Sequence, residues 1–168
     1  MIAVRVDDLA FAEVDAIIRP ADATLDPVTT AAARLDRQAG ARFTEQRQIQ
    51  HALVPGAAVV TGAGDLPAKF VVHAIIQSAE QSATPDTVRR ALTSAWQRVA
   101  QWQLGTIAMP LIGAGAGQLS IEEAARLLRD TFHDSRRTSE FPASVVVMVE
   151  READRTEIDA ILGRPEPA

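Results

Sequence analysis

Apolar and polar positions alternate along this chain in two distinct rhythms. Continuous apolar runs fall at 2–6 (IAVRV), 14–19 (VDAIIR), 57–61 (AAVVT), 69–76 (KFVVHAII), 105–110 (GTIAMP) and 144–150 (SVVVMVE). Runs of this length and continuity predict strands buried on both faces. Between them the apolar residues recur at helical spacing. Val28, Ala32, Leu35 and Ala39 form one such stripe, with Gly40 placed to end the helix. Val88, Leu92, Ala95, Val99 and Trp102 form a second, opened by Thr84 as cap and Pro85 at the first helical position. Ile121, Ala124, Ala125, Leu128 and Phe132 form a third, behind Ser120-x-x-Glu123, a capping-box pattern. A last helix is expected over 153–162, and the tail RPEPA is expected to be frayed.

The segment GAGD (62–65) joins two strand candidates and reads as a hairpin connection. Alternating strands and helices with one hairpin in the middle predict a mixed sheet covered by helices on both faces. In such sheets the ligand crevice lies beyond the carboxyl ends of the strands. Two loops qualify: RPAD (19–22) and the glycine stretch at 113–117.

Composition narrows the function. The 168 residues fit one domain with a sizeable core, and 47% hydrophobic with 23% charged residues is ordinary for a globular protein. A net charge of −5 leaves no basic surplus for general nucleic-acid binding. The absence of cysteine removes thiol nucleophiles, disulfides and thiolate metal sites together. The start MIAVRVDD does not have the form of a signal peptide, and no run reaches the ~18 apolar residues of a membrane span. The expectation is a soluble cytoplasmic domain.

Several chemistries are excluded by their motifs. The dinucleotide fingerprint fails because Gln118 stands where a third glycine is needed after Gly113 and Gly115, and no Gly-Lys-Ser/Thr follows for a P-loop. There is no Gly-x-Ser-x-Gly elbow. His51, His73 and His133 lack metal-ligand spacing; His73, in an apolar strand, reads as a core histidine rather than a base, and His133 complements a helix dipole. The tryptophans carry no functional weight. Gly113, Gly115 and Gly117, alternating with alanines before a helix, form either a phosphate cradle or a turn that needs positive φ.

The order of these elements resembles one family. PGAAVVTGAGDLPAKFVVHAI (55–75) resembles the central hairpin of macro domains, DLAFAEVDAII (8–18) is similar to their first conserved stretch, and 105–119 looks like their second ligand loop. The resemblance implies a three-layer α/β/α sandwich with a mixed, mostly parallel six-stranded sheet over residues 1–163. It also implies binding of ADP-ribose or a related adenine nucleotide diphosphate, with no cofactor and no metal. By the same resemblance Asp8 accepts from the adenine amino group, and Leu9 offers its backbone N–H to a ring nitrogen. Gly113, Ala114, Gly115, Ala116 and Gly117 wrap the diphosphate and distal ribose, and Asp22 meets that ribose.

The family pattern breaks in one region. Its Asn-Ala-Ala-Asn is here Arg19-Pro20-Ala21-Asp22, and its glycine loop and following Val-Asp fall on Pro27, Val28, Thr29, Thr30 and Ala31-Ala32. The Gln-Glu-Glu of glycohydrolase relatives is missing. Aspartate at 22 accepts hydrogen bonds but donates none, and adds negative charge near a diphosphate. Arg19 reads either as a partner for Asp22 or phosphate, or as a surface residue at a strand end. Bulky residues in place of glycines lead to the expectation of a small helix within 23–33 that plugs the distal-ribose site. Three functions follow: a nucleotide-binding module without efficient hydrolase activity, an ADP-ribosyl hydrolase with Asp22 as its only catalytic candidate, and a ligand-free fold serving a protein partner.

Overall fold

The continuous apolar runs assemble into one sheet. The computed structural model describes residues 2–115 and 119–163. In chain order the elements are β1 (Ile2–Val6), a 3-10 turn (Leu9–Phe11), β2 (Ala16–Asp22), α1 (Thr30–Gln46), β3 (Ala58–Gly62), β4 (Phe70–Gln77) and α2 (Pro85–Gln101). They continue with β5 (Thr106–Met109), α3 (Ile121–Arg136), β6 (Ser144–Val149) and α4 (Glu152–Leu162). The strand order is β1-β6-β5-β2-β4-β3. Every neighbouring pair is parallel except β3 with β4, the hairpin expected around 62–65.

Each face of the sheet has its own core. Ile18, Val72, Ile107, Met109 and Val147 pack under α2, α3 and α4. Ile17, Val71 and Ala108 pack under Leu35, Ala39 and Phe43 of α1. Helices on both faces make the three-layer α/β/α sandwich.

The helix starts follow their caps. Ser120 Oγ accepts from Glu123 N (3.1 Å) while Glu123 Oε2 accepts from Ser120 N (3.3 Å), a closed capping box. Thr84 and Thr87 do the same before Pro85. Thr29 Oγ1 accepts from Ala32 N (3.0 Å), so α1 begins at Thr30 and Val28 belongs to the preceding loop.

Three expectations need correction. Gly40 interrupts α1 (φ +86) but helical structure resumes beyond it to Gln46, because Phe43 continues the buried stripe onto the sheet. The second helix buries Trp96, not Trp102. Trp102 follows the last helical turn at 50% exposure, with its ring against Phe70. No helix forms over 23–29; that segment turns back tightly before α1 begins. Among the described residues no helix is long and apolar enough to cross a membrane.

Candidate functional site

The parallel strands all end on one edge, and the loops that follow them line a crevice there. β2 continues three residues beyond Arg19, so Arg19 lies inside the strand rather than at its end. Its side chain is 0% exposed and meets Asp36 of α1, with Nε 3.4 Å from Oδ1. This corrects both readings of Arg19: it is neither a surface residue nor a partner of Asp22. Arg47 brings a second guanidinium to Asp36, with Nε 3.4 Å from Oδ2. Burial lowers the Arg19 guanidinium to about 10, against the opposing pull of Asp36. Burial likewise raises the Asp36 carboxyl against the pull of the two arginines.

This buried network holds the loop after β2. Arg19 Nη2 donates to the Leu25 carbonyl at 2.5 Å, and Arg47 Nη1 donates to the same oxygen at 3.3 Å. Leu25 itself is buried in the left-handed region (φ +66). Asp22 Oδ1 accepts from Thr24 N (2.8 Å), Thr24 Oγ1 (2.8 Å) and Asp26 N (3.0 Å). The carboxylate therefore caps its own turn, as short acidic side chains do.

Asp8 and Leu9 sit after β1. Asp8 Oδ1 caps the 3-10 turn by accepting from Ala10 N (2.9 Å), a role that sequence reasoning missed. Both residues line a cavity of about 50 Å³, together with Pro20, Ala32, Pro110 and Glu150. On its rim Arg34 of α1 pairs with Glu150, after β6, at 2.5 Å. Asp8, Arg34 and Glu150 also border an adjoining open hollow of about 320 Å³. Asp22 does not border the cavity.

The loop after β5 supplies the second part of the crevice. Gly113 (φ +99) and Gly115 (φ +86) both hold backbone conformations that other residues resist. Around Gly115 no atom of the described residues lies within 4 Å of where a Cβ would stand. Leu119 N donates to Gly113 O (3.3 Å) and closes the loop ahead of α3. Ala116 and Gly117 lie outside the described residues.

His73 is a core residue. It is wholly buried on β4, stacked on Phe43 with centroids 5.7 Å apart, and does not line the cavity. Thr61 Oγ1 donates to Gly62 O (3.0 Å), so the His73 Nε2–H donates to Thr61 Oγ1 (2.8 Å). Nδ1 then has no partner among the described residues. Burial, with the nearby charges of Arg19 and Arg47, holds the ring well below its ordinary value of 6.5.

The molecule is a mixed α/β/α domain with its crevice at the strand ends, where such sheets take their ligands, a carboxylate at one end and a glycine turn ahead of a helix. The macro domain model matches residues 18–128, and the chain belongs to that family. It is 31% identical over 150 residues to an O-acetyl-ADP-ribose deacetylase of an Enterobacter species, covering 86% of this chain and 83% of that protein. It is 34% identical over 128 residues to an uncharacterized Aeropyrum pernix protein, covering 75% of this chain and 67% of the other. The chain spans 34% of a longer Mycobacterium tuberculosis relative at 26% identity. Its fold matches a Trypanosoma brucei macrodomain in complex with ADP-ribose at TM-score 0.85 and 16% identity, over 96% of this chain and 69% of the other.

Proposed function

We propose that this protein binds adenine nucleotides carrying a diphosphate, the class to which ADP-ribose belongs. The observation that carries this reading is the pairing of Asp8 and Leu9 after β1 with the positive-φ glycine turn at Gly113 and Gly115 after β5, on one edge of one sheet. Asp8 keeps one carboxylate oxygen beyond its capping bond, and a carboxylate suits the exocyclic N–H of adenine. Leu9 supplies a backbone donor for the ring, and backbone N–H groups of a glycine turn ahead of a helix suit phosphate oxygens. The names of relatives and of matching structures, which carry ADP-ribose chemistry or ADP-ribose itself, support the same class.

Asp8→Ala is expected to weaken ADP binding about tenfold or more, while costing the fold less than about 1 kcal/mol through the lost cap. Calorimetric titration beside a melting curve measures both. An unchanged affinity in the variant would place the base elsewhere.

The deacetylase relative favours a second reading, in which this chain also hydrolyses its ligand. Asp22 would then activate water, yet its Oδ1 already takes three hydrogen bonds from its own loop. That arrangement supports binding without efficient turnover. Release of acetate from O-acetyl-ADP-ribose by the wild type, lost on Asp22→Asn, would reverse this preference.

A further inference from the structure

α2 leads into β5 and α3 into β6, so the C-terminal halves of both helices lie toward the edge where the parallel strands begin, opposite the crevice. The helices meet where the Trp96 and Phe132 rings pack edge to face, centroids 5.4 Å apart. Beside that contact a groove of about 340 Å³ opens between them, a volume in the range of small-molecule sites. Small side chains, Ala100 of α2 and Ser135 of α3, leave the space. Its floor is a buried hydrogen-bonded pair: Trp96 Nε1 donates to Thr131 Oγ1 at 3.1 Å, and the two residues are 2% and 3% exposed.

The α3 side of the groove presents acceptors. Thr131, Asp134, Ser135 and Thr138 fall at i, i+3, i+4 and i+7, so they share one face of α3 and its continuation. Thr131 Oγ1 donates to Leu127 O (2.8 Å), Ser135 Oγ to Phe132 O (2.7 Å) and Thr138 Oγ1 to Ser135 O (3.3 Å). Each hydroxyl proton is held by the chain's own backbone, and lone pairs are what remain for the groove. Asp134 adds a carboxylate, and among the described residues lining the groove none is cationic. Both helix C-termini add partial negative charge at the same place. His133 and Arg137 flank Asp134 in sequence without lining the groove, and Arg136 Nη1 donates to Pro142 O (2.9 Å). Arg98 is anchored on Ala58 O through Nε (3.0 Å) and reaches the groove only through Gln101, whose Oε1 it occupies (2.9 Å). On the α2 side Thr93 and Gln97 are neutral and can turn to suit a donor or an acceptor.

We propose that the α2–α3 groove binds a small organic cation bearing N–H donors, an alkylammonium or guanidinium group, with its nitrogen on the Asp134 side and its carbon chain along Ala100. A negative, acceptor-rich groove disfavours phosphates and carboxylates, so this site is separate from the crevice in chemistry as well as in place. A free amine carries such a group, and so does the lysine or arginine side chain of another protein.

Proton–nitrogen correlation spectra of the whole labelled protein read the site directly. The Trp96 indole N–H lies in its floor, and the other indole, that of Trp102, does not line it. The probes are agmatine, Nα-acetyl-lysine methylamide and the uncharged butanediol. Agmatine is expected to shift the Trp96 indole signal saturably, with Kd of about 1 mM or below, while the Trp102 signal and the butanediol titration stay flat. Asp134→Asn is expected to weaken agmatine about fivefold. Ala100→Leu, which fills the groove at unchanged charge, is expected to abolish the shift. A lysine derivative as tight as agmatine supports the site with a protein side chain as its source, and a much weaker one supports it with a free amine. Butanediol as effective as agmatine, or an Asp134→Asn protein that binds unchanged, overturns the cation class. No Trp96 shift with either amine overturns the site.

Discussion

Asp36→Ala is expected to destabilise the protein by about 3–5 kcal/mol, which for a domain of this size lowers Tm by roughly 6–20 °C. Asp36 is the carboxylate between Arg19, fully buried, and Arg47, with a side chain 15% exposed. Its removal leaves the Arg19 guanidinium in the interior with two backbone carbonyls and no counter-charge. Burial already disfavours the charged form of each partner, so the pair offsets its own desolvation more than it adds net stability. For that reason a double replacement, Arg19→Met with Asp36→Leu, is expected to recover most of the loss that the single variant suffers. Urea unfolding midpoints of the three proteins, at unchanged denaturant slope, measure both effects. A loss below about 1 kcal/mol in Asp36→Ala would mean that water reaches Arg19 and that the loop after β2 is held by its own turn alone.

The second large effect is a loss of stability in acid carried by His73. Its ring is neutral in the fold, with Nε2–H on Thr61 and Nδ1 without a partner, and its affinity for a proton is held well below 6.5. The unfolded chain takes up the proton near pH 6.5 and the native state does not. Stability from this group is therefore fully present above pH 6.5 and declines as pH falls below it. While the folded ring stays neutral the decline approaches about 1.4 kcal/mol per pH unit. Carboxylates contribute their own acid losses to any variant. The readout is accordingly the difference between wild type and His73→Phe in their change of stability from pH 7.5 to pH 5. The phenylalanine protein is expected to lose measurably less. Equal losses in the two proteins would show that the ring accepts a proton in place.

The strands and helices were legible because both rhythms of apolar residues are strong here, and two helix starts carry explicit caps at Thr84 and Ser120, whereas the Thr29 cap of α1 went unread. The strand-end placement of Asp8, Leu9 and the glycine stretch was legible, because each follows a strong apolar run. What misled was Pro20. A proline reads as the end of a strand, yet β2 runs on to Asp22. β5 pairs with β2 only as far as Ile17, so at Pro20 that side of the strand has no ladder for a missing N–H to break. Three further strand residues moved Arg19 from an assumed strand end into the core. The signal that could have found its partner was present: Asp36 lies on the same helical stripe as Ala32, Leu35, Ala39 and Phe43, where a lone carboxylate needs a buried cation. The closed turn at Asp22 was not legible. It depends on which way the carboxylate faces, and spacing alone does not fix that.

The pairing of β1 with β6 has a consequence for how the molecule is made. Ile2 lies against Val145 and Val6 against Val149, so the first strand to leave the ribosome waits for the last before it has any neighbour in the sheet. At a synthesis rate of about 5–20 residues per second that wait lasts roughly 7–30 s. During it β2, β3, β4 and β5 can already pair with one another, while β1 has no strand partner and Asp8 has no Glu150 beside it. The β1–β6 end of the crevice, where Asp8 faces Glu150, is therefore completed only after the rest of the sheet has paired. A nascent chain halted before β6 holds α1 to α3 and the central strands but leaves Asp8 without Glu150 opposite, so that end of the crevice arrives as a late checkpoint in the protein's own biogenesis.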